Sequence, residues 1–318
     1  MTGKYVTETI LADAEGIARA AQILRDGGLV AVPTETVYGL AARADSDAAV
    51  ARIYEAKGRP SFNPLIVHVG GVDEARTLAN LPWAADVLAD LHWPAPLTIV
   101  VPKRADAKLA SAVTAGLDTV ALRSPDHAVM QALLKACAFP IAAPSANRSG
   151  FVSPTTAEHV ASTLDGRIDL ILDDGRPCEE GLESTILAIR EDGSWEELRP
   201  GPVDLAALYE HYWDAPLVLR GTSDAIEAPG QLASHYAPGK PLRLNAREVA
   251  PDEFFIGFGP LAGDIDLSAR GDLTQAAARL YACLHEAARS EKPRIAVAPV
   301  PETGLGLAIN DRLRRAAA

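Results

Sequence analysis

The stretch GLVAVPTETVYGL (28–40) decides how the chain is read. Leu29 to Val32 is a short apolar run bounded by Gly28 and Pro33, the pattern of a buried strand. Ahead of it, Asp13 is placed to cap a helix over 13–28. Ile17, Ala20, Ala21 and Leu24 fall on one stripe, and Gly27-Gly28 stops it. Behind it, Pro33 to Gly39 is a loop of hydroxyls and one carboxylate. A helix, a buried strand and a polar loop at the strand end form the unit of an α/β sheet, and such sheets bind ligands beyond their strand ends.

The alternation continues outward. Helices are predicted at 47–57, 73–80, 83–92, 126–137 and 155–164. Strands are predicted at 65–69, 97–101, 119–123, 140–143, 169–172, 184–189 and 195–199. This predicts one α/β domain over 1–205 whose sheet is mixed rather than all parallel. Residues 200–241 change character, with prolines at 200, 202, 216, 229, 238 and 241 and little periodicity beyond a short helix near 204–212, and a connector is placed over 206–241. A smaller α/β domain over 242–318 follows, with strands at 254–258 and 294–298 and helices at 273–289 and 303–316.

Composition bounds the function. The 318 residues carry 30 Lys plus Arg against 42 Asp plus Glu, a formal charge of −12, with 48% hydrophobics. That supplies ample core and argues against a broad basic nucleic-acid surface. Cys137, Cys178 and Cys283 form no CxxC pair, and no His/Cys cluster has metal-ligand spacing, so no protein-held metal is expected. The opening residues lack a leader pattern and no apolar run nears the ~20 residues of a membrane helix. A cytoplasmic protein with no membrane contact is the expectation.

Polar groups gather at the loops beside strand ends. These are Pro33 to Gly39, Lys57-Gly-Arg-Pro-Ser-Phe-Asn-Pro64, Arg123-Ser-Pro125, Pro144 to Gly150 with Ser153-Pro-Thr155, Glu183-Ser-Thr185, Arg199-Pro-Gly201 and Ser234-His-Tyr-Ala-Pro238. Lys57, Arg59, Arg123 and Arg199 with interleaved Ser, Thr and Asn suit an anionic ligand. No Walker P-loop occurs, and Gly257-Phe-Gly259 and Gly304-Leu-Gly306 are too short for a dinucleotide fingerprint. Blander readings stand beside these. Single cations near loops are often solvated surface, and His68 in an apolar strand reads as a core histidine. Tyr38 and Trp83 read as core, and His92, His127, His159, His211 and His285 as surface. Glu35 and Glu183 read either as a catalytic pair or as loop structure.

Taken together, these blocks resemble the YrdC-type threonylcarbamoyl-AMP synthase family in its long, two-domain form. The matching stretches are PTETVYGL (33–40), KGRPSFNPLIVHV (57–69), PLTIVV (96–101), PSANRSGFVSPTT (144–156), ESTIL (183–187), LRPGPV (198–203), SHYAPGKPL (234–242) and GLGLAINDRLRRAA (304–317). The resemblance implies a twisted mixed-sheet catalytic domain around a cationic hollow, a smaller Rossmann-like C-terminal domain, and a linker reaching over the site. It implies a nucleotidyltransferase that condenses L-threonine, bicarbonate and ATP into threonylcarbamoyl-AMP and pyrophosphate, with Mg²⁺ on the phosphates. A downstream threonylcarbamoyl-transferase complex would then modify tRNA, touched by this chain indirectly or transiently.

Carried over by position, the resemblance puts L-threonine on Thr36, His68, Arg123, Ser145 and Ser184. It puts ATP on Arg59, Asn63, Thr119, Asn147, Thr155, Arg199 and Tyr236, and makes Lys57 and Arg59 the catalytic cations facing the phosphates. Gln231 and Asn310 depart from the family pattern and bear on linker and second-domain packing. The alternatives left open are a non-catalytic RNA-binding module and a carbamoyl-transfer enzyme with another acceptor.

Overall fold

The computed structural model describes residues 6–212, 226–230 and 235–318. The chain opens with β1 (Glu8–Leu11), α1 (Ala14–Arg25), β2 (Val30–Val32) and β3 (Gly39–Arg43). The Asp13 carboxylate accepts from the Gly16 amide at the start of α1, and Gly27 ends it at φ +81°. α2 (Asp47–Lys57), β4 (Ile66–His68), α3 (Val72–Leu78), α4 (Trp83–His92) and β5 (Leu97–Pro102) follow. Ser46 caps α2, and Gly58 closes it in the left-handed conformation, so the chain turns sharply between Lys57 and Arg59. β6 (Thr119–Arg123), α5 (Ala128–Cys137), β7 (Ile141–Ala142), α6 (Ala157–Leu164), β8 (Leu170–Asp173), β9 (Thr185–Ile189), β10 (Trp195–Arg199) and α7 (Leu205–Tyr212) complete the first unit.

Its ten strands run β1-β8-β2-β3-β7-β4-β6-β5-β9-β10 in one mixed sheet. β4 pairs parallel with β6, and β6 antiparallel with β5, which fixes His68 opposite Arg123 and Arg123 opposite Thr98. Strand side chains alternate between faces. On one face Val67, Leu97, Ile99, Val120, Leu122 and Leu187 join the main core. On the other face α1 and α5 cover β8, β2, β3 and β7 with a second apolar layer. They leave the same face of β4, β6, β5, β9 and β10 to a small cluster of Ile66, Val100, Ala121, Ile186, Ala188, Leu198 and Ala228. That half-face carries His68, Thr98 and Arg123 and is the floor of the site described below.

The second unit holds β11 (Leu242–Arg243), β12 (Glu253–Phe258), β13 (Ile265–Ser268), α8 (Leu273–Arg289), β14 (Arg294–Val297) and α9 (Leu305–Ala317). Its four strands are all parallel in the order β11-β14-β12-β13. Its core takes in Val37, Val152, Leu182 and Tyr236 from the loops of the first unit and the connector. A Cβ on Gly181 would lie 2.5 Å from the Ala278 Cα, so that loop rests directly on α8.

Several expectations change. β1, β3, β11 and β13 were not expected from the sequence. Trp83 is 71% exposed rather than core, because it opens α4 on the solvent side. His159 is buried and stacks on His285 at 3.8 Å between centroids, so neither is a free surface histidine. The three cysteines are buried and free. Asn310 is buried and its amide donates to the Val300 carbonyl, which accounts for a polar residue there, while Gln231, Pro216 and Ser234 lie outside the described residues. No helix among the described residues is long and apolar enough to cross a membrane.

Candidate active site

Over the uncovered half-face lies a cavity lined by Thr36, Arg59, His68, Arg123, Ser145 and Arg199. Pro229, Gly230, His235 and Tyr236 roof it, and Glu183 forms part of the wall. Loops far apart in sequence converge because each enters or leaves a strand of this sheet region. The Leu40 amide donates to Pro144 and the Ala146 amide to Tyr38, locking the 144–147 loop against the start of β3. A Cβ on Gly39 would sit 3.2 Å from the Ala143 Cβ, so this crossing leaves little room for a side chain.

Arg123 reaches the cavity from the end of β6. Its Nη2 donates to Glu35 Oε1 at 2.6 Å and to Thr36 Oγ1 at 2.9 Å. Thr36 is in turn set by the Thr34 hydroxyl at 2.9 Å. Both Nη2 protons are therefore spent on protein. Nη1 and the buried Nε have no partner among the described residues, but both bidentate edges of the guanidinium need Nη2, so an incoming anion does not meet a whole fork.

Arg199 wraps the Ser184 carbonyl with Nε at 3.1 Å and Nη2 at 2.9 Å. The Ser184 hydroxyl also meets Thr98 at 2.7 Å. Arg59 donates to the Asn63 side chain at 2.6 Å and to the Pro64 carbonyl at 2.9 Å. Burial pushes the Arg59 guanidinium down to about 10 and also lowers Arg199, yet Arg59 stays cationic at neutral pH.

The remaining expected residues stand behind this lining. Lys57 is buried, and its ammonium donates to the Ser145 carbonyl at 2.5 Å and the Asn147 carbonyl at 2.6 Å, with Asn147 Oδ1 at 3.4 Å. It staples the 144–147 loop and does not line the cavity. Burial, then Arg59, pushes it well below the usual lysine range. Asn63 serves Arg59, and Asn147 donates to the Arg148 and Phe151 carbonyls. Thr155 pairs with His159 at 3.3 Å. Thr119 shares the sheet face of Arg123 but lies four residues away along β6, ~13 Å at strand spacing.

Glu183, weighed in the sequence as half of a carboxylate pair, is buried. Burial raises it, but Arg312 and Arg199 with bonds from Ser153 and Tyr281 outweigh that and hold it at about 2. Glu35 holds Arg123 through Oε1, while its Oε2 is buried without a hydrogen-bond partner among the described residues. Among the described residues no cluster of three His, Cys, Asp or Glu side chains is placed to hold a metal. His235, Gly230 and Glu183 are cavity residues to which sequence reasoning gave no ligand role, although His235 and Glu183 sit inside recognised blocks.

Burial holds four histidines neutral. His68, with Arg123 adding to the effect, and His235 are pushed down to about 3, as is His159, and His285 to about 4. The unfolded chain binds these protons near pH 6.5, so their contribution is complete above that pH. It is lost as pH falls toward 3–4, at about 1.4 kcal/mol per histidine per unit. The unfolding free energy from urea titrations is expected to drop by roughly several kcal/mol between pH 7 and pH 5, before any effect from Glu183. A flat profile over that range would contradict the buried neutral histidines.

Two family models match the chain. The Sua5/YciO/YrdC model, described as telomere recombination, covers residues 22–201, and one described as threonylcarbamoyl-AMP synthase, C-terminal domain, covers 203–318. A Bacillus subtilis (strain 168) protein named threonylcarbamoyl-AMP synthase is 41% identical over 335 residues, 98% of this chain and 96% of its own. One of the same name from Pyrococcus abyssi is 39% identical, covering 93% of this chain and 92% of its own. The crystal structure of P. abyssi Sua5 complexed with L-threonine superposes with a TM-score of 0.87 at 35% identity, over 98% of this chain and 97% of that one. With both units matched along their length, the chain belongs to the threonylcarbamoyl-AMP synthase family, in the form that carries the Sua5-type C-terminal domain.

Proposed function

We propose that this cavity condenses L-threonine, bicarbonate and ATP into L-threonylcarbamoyl-adenylate, releasing pyrophosphate. The observation that carries the reading is the convergence of Thr36, Arg59, His68, Arg123, Ser145 and Arg199 on one cavity beneath Tyr236. The family membership and the L-threonine complex of the P. abyssi relative support the same substrates.

The chemistry asks for alignment and charge neutralisation. Threonine's amine and CO₂ from bicarbonate form a carbamate, one oxygen of which attacks the α-phosphorus as pyrophosphate leaves. The nucleophile is already an anion, so no strong base is needed at that step. Arg123 Nη1 would take threonine's carboxylate, with Thr36, His68, Ser145 and Ser184 around its amine and hydroxyl. Arg59 and Arg199 would face the phosphates and Tyr236 the nucleotide. Lys57, Asn63, Asn147 and Thr155 would act through the groups they hold, with Thr119 further along the β6 edge. Glu183 has both oxygens paired and Glu35 holds Arg123 through Oε1, which leaves too few carboxylates for a protein cage, so Mg²⁺ would be carried by phosphate oxygens and water.

The free volume under the roof is about 40 Å³, room for a few waters. On this reading Pro229, Gly230, His235 and Tyr236 lift to admit substrates and settle again to keep water from the mixed anhydride. The division into a catalytic domain (1–205), a connector with this roof (206–241) and a C-terminal domain (242–318) belongs to the same proposal. So do a cytoplasmic setting and hand-over to a tRNA-modifying transferase complex. Pyrophosphate release is the test. It is expected only with ATP, bicarbonate and L-threonine together. Release on replacing threonine by carbamoyl phosphate would favour a different carbamoyl transfer, and salt-sensitive tRNA binding with no turnover would favour an RNA module.

A further inference from the structure

The C-terminal unit reaches into the wall of the cavity. Glu183 Oε1 accepts from Ser153 at 2.6 Å, and Oε2 accepts from Tyr281 of α8 at 2.7 Å and from Arg312 Nε of α9 at 3.2 Å. Arg312 is fully buried, and its Nη1 also donates to the Pro200 carbonyl at 2.7 Å, beside Arg199. The same two residues enclose Tyr236. The Tyr281 ring stacks on it at 5.6 Å and 30°, and the Arg312 guanidinium lies 5.8 Å from its centroid.

Tyr236 needs such support because its φ is +66°, a left-handed conformation unusual for an aromatic residue. Its neighbours are pinned as well. The His235 amide donates to the Arg315 carbonyl at 3.1 Å and the Ala237 amide to Gly150 at 2.8 Å. Stability alone is a poor account of this arrangement. A buried ion pair often contributes no more than well-packed apolar groups of the same volume, whereas it fixes one geometry. Here the geometry being fixed is the turn that carries Ser184 and the ring that roofs the cavity.

We propose that Arg312 and Tyr281 are positioning residues of the active site, by which the C-terminal domain sets the Glu183-Ser184 turn and the Tyr236 ring. This rests on the reading that the cavity holds threonine and ATP. It gives the second domain a part in turnover without contact with substrate.

The test uses full-length protein and threonine-dependent pyrophosphate release, with urea midpoints measured in parallel. Y281F keeps the ring stack and loses one bond to Glu183. It is expected to lower kcat/KM about tenfold at a midpoint close to the parent's. E183Q/R312M removes both charges of the pair and leaves Arg199 held by the Ser184 carbonyl and hydroxyl. It is expected to fold at a lowered midpoint, yet to lose at least a hundredfold in kcat/KM, beyond the loss of folded fraction, with raised KM for both ATP and threonine. R312K, which keeps a cation on Glu183, is expected to recover most of that loss. If E183Q/R312M folds with parental kcat and KM, or if activity in all three variants merely follows the folded fraction, the proposal is overturned. If the parent protein itself releases no pyrophosphate with threonine, the cavity reading fails first and takes this proposal with it.

Discussion

Arg123→Ala is expected to reduce threonine-dependent pyrophosphate release by two to three orders of magnitude. Removing a buried charged contact to a ligand costs ~2–5 kcal/mol, and each 1.36 kcal/mol is tenfold in kcat/KM. The variant also leaves Glu35 as an uncompensated buried carboxylate, for Arg123 Nη2 holds it at 2.6 Å. Stripping one partner from a buried pair typically costs about 3–5 kcal/mol of stability. Glu35→Gln/Arg123→Ala separates the effects, since it removes the stranded charge and should regain stability without regaining activity. Saturating threonine should not restore the rate if the guanidinium also orients the bound carbamate. Full threonine-dependent activity in a folded Arg123→Ala protein would remove Arg123 from the site.

Lys57→Met is expected to be nearly as damaging by another route. The methionine chain fills similar space but leaves the Ser145 and Asn147 carbonyls without the ammonium that now satisfies both. Each buried polar group left unpaired costs about 1–3 kcal/mol. The loop they belong to carries Pro144 and Ser145 into the cavity wall. The expected outcome is a loss of about 2–5 kcal/mol in stability together with at least a hundredfold loss of kcat. A lysine that touched the phosphates directly would behave differently. Its loss would raise KM for ATP while the denaturation midpoint stayed in place, and that pair of results would contradict the staple assignment.

The readable part of the sequence was where the polar loops meet the strands. PTETVYGL, KGRPSFNP, PSANRSG and LRPG each supplied at least one residue to the same cavity. Strand placement was read well where β-branched residues run together, as in Leu97 to Val101. It failed at Gly39-Leu-Ala-Ala-Arg43, whose composition has low strand propensity and whose pairing with β2 and β7 is imposed by tertiary context. What could not be read was how each donor spends its protons. Lys57 and Arg59 are both cations in one short block, yet the turn at Gly58 sends one under a loop and the other into the cavity. The parts of Arg312 and Tyr281 were equally hidden. Their partner Glu183 is brought to them only when α8 and α9 dock on the first unit, and no local pattern records that docking. The histidine stack of His159 and His285 was hidden for the same reason.

The most direct measurement is the mass of the product formed when the full-length protein is given L-threonine, bicarbonate and ATP. A cavity built for an amino acid beside a nucleotide should yield threonylcarbamoyl-adenylate and an equal amount of pyrophosphate, neither appearing when threonine is omitted. Nucleotide consumption that is indifferent to threonine, with no adenylate of that mass, would contradict the proposed reaction.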